Sequence, residues 1–294
     1  MTRGAPAPVL SFGLPVYNGE RFLEGALQAL LAQDLEDLEV VVSDNGSTDG
    51  TQEICRAVAA ADPRVRYLRA ETNHGGTWNY RRVLERSAAP LFSWAAVDDL
   101  WLPTFASSCV RALDERPDAV LAMTRARLVD GDGTVTDGLG DADLGLDADA
   151  AHERLRRLFR SQASHVMYGV IRRSALARAR PLRPMVGDDI VLLTELLCQG
   201  PAVVVDDRAF LQRRVPEQLS LQGQEQVKWH APSARVRFAF PQTRLNLELY
   251  RAVATTRLPL REKARCWTQI VPGWVLPRWR GMARDVATAA GFAG

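Results

Sequence analysis

Val40-Val41-Val42-Ser43-Asp44-Asn45-Gly46-Ser47-Thr48-Asp49-Gly50-Thr51 decides the fold class. A short apolar run of this kind reads as a buried parallel strand. The acids that follow it sit where such a strand ends and opens into the crevice that binds ligands in open α/β sheets. Trp94-Ala95-Ala96-Val97-Asp98-Asp99 repeats the arrangement, an apolar run closed by two carboxylates. Two acidic strand ends in one half of a chain predict a site at the sheet edge.

Outward from these segments, strand and helix alternate at βαβ intervals. Residues 9–14 are apolar and close on Pro15-Val16-Tyr17-Asn18-Gly19, a first strand and its loop. Over residues 20–33, Phe22, Leu23, Ala26, Leu27, Leu30 and Leu31 recur at helical spacing. Residues 38–43 supply the second strand. Residues 49–61 form a second helix, with Thr48 or Asp49 as its cap, and residues 65–69 a third strand. Asn73-His74-Gly75-Gly76-Thr77-Trp78-Asn79-Tyr80-Arg81-Arg82 then opens a helix that runs to about Ser87. Backbone N–H groups at such a start can hold an anion, with Arg81 or Arg82 adding charge, although the glycines alone read equally as a turn.

Residues 91–97 form the next strand and deliver Asp98 and Asp99, and a helix follows over residues 104–115. Adjacent carboxylates repel, so leaving both ionised at a strand end calls for a cation or donors beside them. Hard oxygen ligands with a few waters are what Mg²⁺ or Mn²⁺ takes when it also bridges substrate phosphates. An isolated Asp-Asp pair would be a surface turn; the preceding apolar run favours a site.

Composition bounds the alternatives. The chain has 294 residues, 47% hydrophobic and 24% charged, enough for one large domain or a domain with an appendage. A formal charge of +2 with no basic run argues against nucleic acid as partner. Cys55, Cys109, Cys198 and Cys266 are scattered without a CxxC pair, which predicts reduced thiols and no zinc site. Neither a signal peptide nor a spanning helix is expected at residues 1–8, so the expected location is the cytoplasm.

Pro15-Val16-Tyr17-Asn18, residues 42–51, Asn73-x-Gly75-Gly76 and Ala96-Val97-Asp98-Asp99 resemble, in order and spacing, the nucleotide-sugar-binding half of family 2 glycosyltransferases. The resemblance covers roughly residues 9–220. It implies an α/β GT-A fold, a Rossmann-like nucleotide-sugar-binding sheet flanked by helices with a helical C-terminal extension. Residues 1–223 would be the transferase domain, split into a donor half at 9–115 and an acceptor half at 116–223, and residues 224–294 the extension. Pro15, Tyr17 and Asp44 match family positions that hold base and ribose, with Asp44 accepting from a uracil or thymine imide. Asn18, Asn45, Asn73, Gly75, Asn79, Asp98 and Arg213 complete the implied donor site. Asp98 and Asp99 match the motif that carries a divalent metal, Mg²⁺ or Mn²⁺, on the diphosphate.

In the acceptor half, residues 186–196 read as a helix with an acidic N-terminus. Asp189 is similar in position to the family's general base, and Asp188 beside it is expected either to raise the Asp189 pKa by repulsion or to cap the helix. Arg213 and Arg214 read either as a diphosphate clamp or as a solvated basic turn. Val215 stands where the family has a His, which implies weaker metal dependence. The resemblance therefore implies an inverting hexosyltransferase that takes a nucleoside-diphosphate sugar, UDP- or dTDP-linked, to an acceptor hydroxyl or amine. A degenerate nucleotide-sugar-binding protein is the alternative. A nucleotidyltransferase is the other, although its glycine-rich basic loop is missing after the first strand. A dehydrogenase lacks its GxGxxG. The high Ala and Arg content suggests a bacterial source rich in GC, where such enzymes decorate secondary metabolites or envelope glycans.

Residues 130–137 resemble a calcium loop but place Val135 where Gly is required, so a tight Asp-Gly hairpin is expected. Residues 138–150 read as a mobile loop, and His165 as a core or rim histidine. Beyond about Gln224 the chain is helical and rich in Arg and Trp, with Trp229, Trp267, Trp274 and Trp279. That tail is expected to shape the acceptor pocket, to form a homodimer interface, to rest peripherally on an anionic membrane, or to pack back on the domain.

Overall fold

β2 (Leu38–Asp44) lies at the heart of a parallel unit, with β1 (Leu10–Val16) on one side and β3 (Val65–Arg69) on the other. The computed structural model describes residues 7–138, 144–214, 224–230, 232 and 240–290. β4 (Leu91–Trp94) continues the parallel run on the far side of β1. α1 (Glu20–Leu31), α2 (Thr51–Ala61) and α3 (Gly76–Arg86) make the crossovers that parallel strands require.

Beyond β4 the sheet changes direction. β8 (Val170–Arg172) is antiparallel to β4 and to β6 (Leu121–Val129), and β9 (Ala202–Arg213) lies parallel to β6. The two-residue strand β5 (Leu100–Trp101) closes the far edge on β9, and β7 (Val135–Gly138) pairs with β6. Among the described residues the order is β3-β2-β1-β4-β8-β6-β9-β5 in a nine-stranded sheet.

Strand alternation feeds two cores, one on each face. Phe12, Leu14, Val40 and Val42 point toward α1 and α4 (Phe105–Glu115), where they meet Leu23, Leu27 and Cys109. Phe92 and Trp94 point the other way, toward Val83 of α3 and Leu155 and Phe159 of α5 (Ala151–Ser161). Each such fully buried side chain contributes about 1.5–3 kcal/mol. A five-residue 3-10 turn (Ser164–Tyr168) leads into β8, and the short α6 (Arg173–Arg178) leads toward α7 (Asp188–Leu197).

The extension shares the second core. α9 (Pro241–Thr255) and α10 (Leu260–Ile270) contribute Leu245, Leu249, Val253, Cys266 and Ile270 to the cluster that α5 and α7 build. A wide turn (Val271–Val275) and a tight one (Leu276–Arg278), each carrying a proline that removes a backbone donor, pass into α11 (Trp279–Ala290). Packing back on the domain holds for Trp274, which is buried, and for Trp267, whose Nε1–H donates to the Tyr250 carbonyl. Trp279 stays exposed.

Several local expectations shift. β4 stops at Trp94, three residues early, because the chain turns at residues 96–99 with the Asp99 N–H on the Ala96 carbonyl. Neither Thr48 nor Asp49 is the α2 cap residue; Gly50 holds that position, while Asp49 Oδ1 accepts from the Thr51 N–H. Residues 130–134 form the expected hairpin turn, with Asp130 Oδ1 accepting from the N–H groups of Asp132 and Thr134. His165 is buried, as expected. Val215 and residues 139–143 of the loop fall outside the described residues.

Candidate active site

The loops at the C-terminal ends of β1 and β2 are bound into one edge. Asn18 adopts a left-handed conformation (φ 52°), which lets its N–H reach Ser47 Oγ at 2.9 Å while its Oδ1 accepts from the Thr48 N–H at 2.9 Å. Gly19 N–H donates to Thr51 Oγ1. Pro15 is buried within β1, and Tyr17 projects from this edge, 47% exposed.

Asp44 ends β2 wholly buried. Its carboxylate accepts from the Ser47 N–H at 2.8 Å, from the Tyr67 hydroxyl at 2.8 Å and from the Arg69 guanidinium. Burial alone would raise its pKa, but the Ser47, Tyr67 and Arg69 bonds outweigh that and hold it below the usual carboxylate range. A base imide would have to share a carboxylate already committed on both oxygens.

Asn45, Asn73 and Gly75 form one knot. Asn45 Nδ2 donates to Asn73 Oδ1 and to the Gly75 carbonyl, its Oδ1 accepts from the His74 N–H, and Asn73 Oδ1 also accepts from the Gly75 N–H. Asn79, one turn into α3, donates to the carbonyls of Val16 and Ser43 and so binds the ends of β1 and β2 together. These asparagines shape this edge through the backbone they hold.

The start of α3 is covered. A Cβ on Gly76 would lie 2.5 Å from the Trp229 indole, and one on Gly75, which has φ 92°, would lie 2.7 Å from the His230 carbonyl oxygen. Both glycines are therefore required by the close approach of α8 (Gln224–His230), whose His230 Nδ1 lies 2.9 Å from Thr77 Oγ1. An anion at this helix start, as the sequence suggested, would compete with that segment. Arg81 pairs with Glu85 toward the end of the helix, whereas Arg82 turns back over the Trp78 ring and reaches Ser43 Oγ and the Arg69 carbonyl.

Asp98 and Asp99 sit on the turn before β5. Asp99 Oδ1 accepts from the Arg213 N–H at 2.9 Å; the Arg213 side chain donates Nε–H to the Asp98 carbonyl and one Nη to the carbonyls of Asp130 and Gly131, over the Phe22 ring. Arg213 thus fastens β9 to the acidic turn. Arg214 is exposed, and its N–H donates to the Val129 carbonyl. Burial, with Asp98 charge beside it, holds Asp99 well above the usual range, and burial raises Asp98 as well. Two desolvated carboxylates with no cationic side chain paired to them among the described residues fit a divalent cation. Because no third His, Cys, Asp or Glu joins them there, the remaining ligands would have to come from substrate oxygens and water.

Asp188 and Asp189 open α7 with different partners. Asp188 is buried and takes the Arg183 N–H and guanidinium, so it serves as an anchor rather than a helix cap. Burial pushes it up to about 6 against the Arg183 charge. Asp189 has no ion pair among the described residues, and burial, not repulsion from Asp188, raises its pKa. Both line a cavity of about 220 Å³ with Thr77, Tyr80, Tyr168 and Trp229.

Tyr80 connects the parts. Its hydroxyl lies 3.4 Å from that of Tyr168, its ring meets Trp229 edge-on, and after burial the charges of Asp98, Asp99 and Asp189 all raise its pKa. The charges of the acidic turn and of Asp189 therefore both reach Tyr80, although only Asp189 lines the cavity. Tyr80 and Tyr168 escaped the sequence reading; helical spacing from Thr77 would have put Tyr80 on the same face of α3, but nothing local marks Tyr168.

The family model described as Glycosyl transferase family 2 matches residues 11–138. Those residues form a family 2 glycosyltransferase domain. They hold β1 to β7, including Asp44, Asp98 and Asp99. Over nearly the whole chain the fold is that of GT-A glycosyltransferases: Staphylococcus aureus TarS 1-349 in complex with UDP-GlcNAc aligns with TM-score 0.67 at 14% identity, over 97% of this chain and 81% of that one. The mannosyltransferase PcManGT from Pyrobaculum calidifontis, in complex with GDP-Man and Mn²⁺, aligns with TM-score 0.54 at 17% identity, over 98% and 87%. A Campylobacter jejuni protein named GalNAc(5)-diNAcBac-PP-undecaprenol beta-1,3-glucosyltransferase is 28% identical over 109 residues, 37% of this chain and 35% of that one. The chain spans about a third or less of the length of the curated relatives it matches first.

Proposed function

We propose that this glycosyltransferase domain moves a sugar from a nucleoside-diphosphate sugar to an acceptor hydroxyl or amine with inversion, Asp189 acting as general base. The observation that carries the reading is the position of Asp189: a carboxylate with no ion pair among the described residues, its pKa raised by burial, on the wall of a cavity shared with Tyr80, which the charges of Asp98 and Asp99 also reach. The donor diphosphate lies along the edge made by Tyr17, the Asn73–Gly75 knot and Asp98. Asp98 and Asp99 would hold Mg²⁺ or Mn²⁺, which would supply positive charge to offset that developing on the departing diphosphate. Arg213 keeps the acidic turn in register. Asp189 takes the acceptor proton as its oxygen or nitrogen attacks the anomeric carbon, and its raised pKa brings it nearer the operating pH.

A uridine or thymidine donor is proposed because Asp44 stands at the end of β2, where a base edge would reach. The Campylobacter relative's name includes a polyprenyl-pyrophosphate acceptor. A lipid-linked glycan is therefore the first acceptor class to test.

Titration calorimetry with UDP, dTDP and GDP, with and without Mn²⁺, tests the donor half. Uridine or thymidine binding that Mn²⁺ strengthens and Asp99→Ala abolishes supports the reading, and preference for GDP overturns the base assignment. Donor turnover, measured as release of nucleoside diphosphate, tests the chemistry. Binding without turnover, unchanged by Asp189→Asn, would move the chain to the non-catalytic class.

A further inference from the structure

The outer face of the C-terminal helical run has a pattern that neither donor nor acceptor chemistry uses. Residues 276–290 run on without a break, since Leu276 and Trp279 keep right-handed helical backbone angles. On the inner side, Trp274 and Asp285 are buried and Arg278 lies over the Trp274 ring. On the outer side, Leu276, Trp279, Ala283 and Val286 follow one another at three- and four-residue intervals, a single apolar stripe. Leu276 is 59% exposed, Trp279 57% and Val286 61%. Arg280 and Arg284 flank the stripe, both exposed, and Arg280 lies over the Trp279 ring.

Charge is segregated in the same region. Residues 240–290 contain three acids against nine Lys and Arg. Every acid is turned inward: Glu248 onto Arg180 and Arg183, Glu262 onto His152, and Asp285 onto Thr243. None of the three is exposed, whereas Arg251, Arg257, Arg261, Arg265, Arg280 and Arg284 are. The surface of the extension therefore carries an excess of cations around an apolar stripe that has an indole in it: Arg251 and Arg265 pair with Glu248 and Glu262, but Arg257, Arg261, Arg280 and Arg284 have no acid partner among the described residues.

We infer that this face docks the protein on an anionic lipid surface. Leu276, Trp279 and Val286 enter the boundary between headgroups and chains, and Arg280 and Arg284 sit against the phosphates. No described helix is long and apolar enough to cross a membrane, so the contact is peripheral and reversible. A second copy of the chain fits the face less well, because two such faces would bring unpaired arginines against each other. The inference does not depend on the proposed reaction.

Co-sedimentation of the full chain with phosphatidylcholine vesicles, with and without phosphatidylglycerol, tests it. Binding is expected only to the anionic vesicles and is expected to weaken as salt is raised. Arg280→Gln and Arg284→Gln should each weaken it about fivefold, in line with one basic side chain at an anionic surface. Leu276→Ser, Trp279→Ser and Val286→Ser together should abolish it, while circular dichroism melting stays unchanged because all three side chains are exposed. Val135→Ser, at an exposed position on β7, should bind as the parent does. Failure to bind anionic vesicles at low salt overturns the inference. So does binding that the stripe variants leave intact, or a dimer in analytical ultracentrifugation that the same variants dissociate.

Discussion

At the residue scale, the start of α7 shows how two neighbouring acids divide their roles. Asp188 is neutralised by Arg183, whereas Asp189, on the wall of the same cavity, has no ion pair among the described residues. Asp189→Asn keeps the shape and removes the base, so kcat should fall about 10²–10⁴-fold while calorimetry shows donor affinity unchanged. Because burial raises the Asp189 pKa, the acid limb of kcat/KM should lie above the usual carboxylate range in the parent and vanish in the variant. An acid limb that survives Asp189→Asn would assign the base elsewhere. Asp44 makes the opposite case. Its folded pKa is lowered, so its contribution to stability is complete above the unfolded carboxylate pKa and is lost as pH falls through the folded value. Asp44→Ala leaves the Ser47 N–H and the Tyr67 hydroxyl without their acceptor and should cost about 1–3 kcal/mol, read as a lower midpoint in urea.

At the element scale, α8 forms one wall of the cavity, and its docking rests on the two glycines that open α3. Helix propensity alone would make Gly76→Ala stabilising by about 1 kcal/mol. The contact with the Trp229 indole reverses the sign locally. Hydrogen exchange of residues 224–230 should accelerate in the variant while protection in β1 and β2 holds. His230 adds a pH dependence to the same docking. Burial lowers its pKa from 6.5 to about 4, so docking is fully favoured above 6.5 and is progressively lost as pH falls toward 4. Exchange in α8 should rise over that interval and should be flat in His230→Gln; a flat profile in the parent would remove the imidazole from the account.

The alternating half was readable in sequence because strands buried on both faces and amphipathic helices leave strong periodic signals. β1 to β4 and α1 to α4 fall within a few residues of their expected places. β5 was not readable, since two residues carry no period and Leu100 and Trp101 are strand only because β9 lies beside them. The acids were found as a motif, but their environments were not: that Arg213 grips the Asp98 carbonyl and that Asp188 is spent on Arg183 depends on contacts 115 and five residues away in the chain.

At the scale of the molecule, the extension and the transferase fold meet in a buried ionic hub. Glu248 of α9 accepts from Arg180 at 2.9 Å, from Arg183 at 2.8 Å and from Arg251 at 2.8 Å. Arg180 in turn holds Glu195, and Arg183 holds Asp188, next to the proposed base. Around this hub Leu245, Leu249 and Val253 fill the core that α5 and α7 build. Extension and domain should therefore melt together. Glu248→Ala takes one of two carboxylates from each of Arg180 and Arg183, which keep Glu195 and Asp188, and should cost about 1–3 kcal/mol. Calorimetry should show one transition, shifted down as a whole, together with lower turnover because Arg183, which holds Asp188 at the start of α7, loses its second carboxylate. Two separate transitions, with the upper one unmoved, would mean that the extension folds as a unit of its own and that its contacts with α7 add little to the stability of the site.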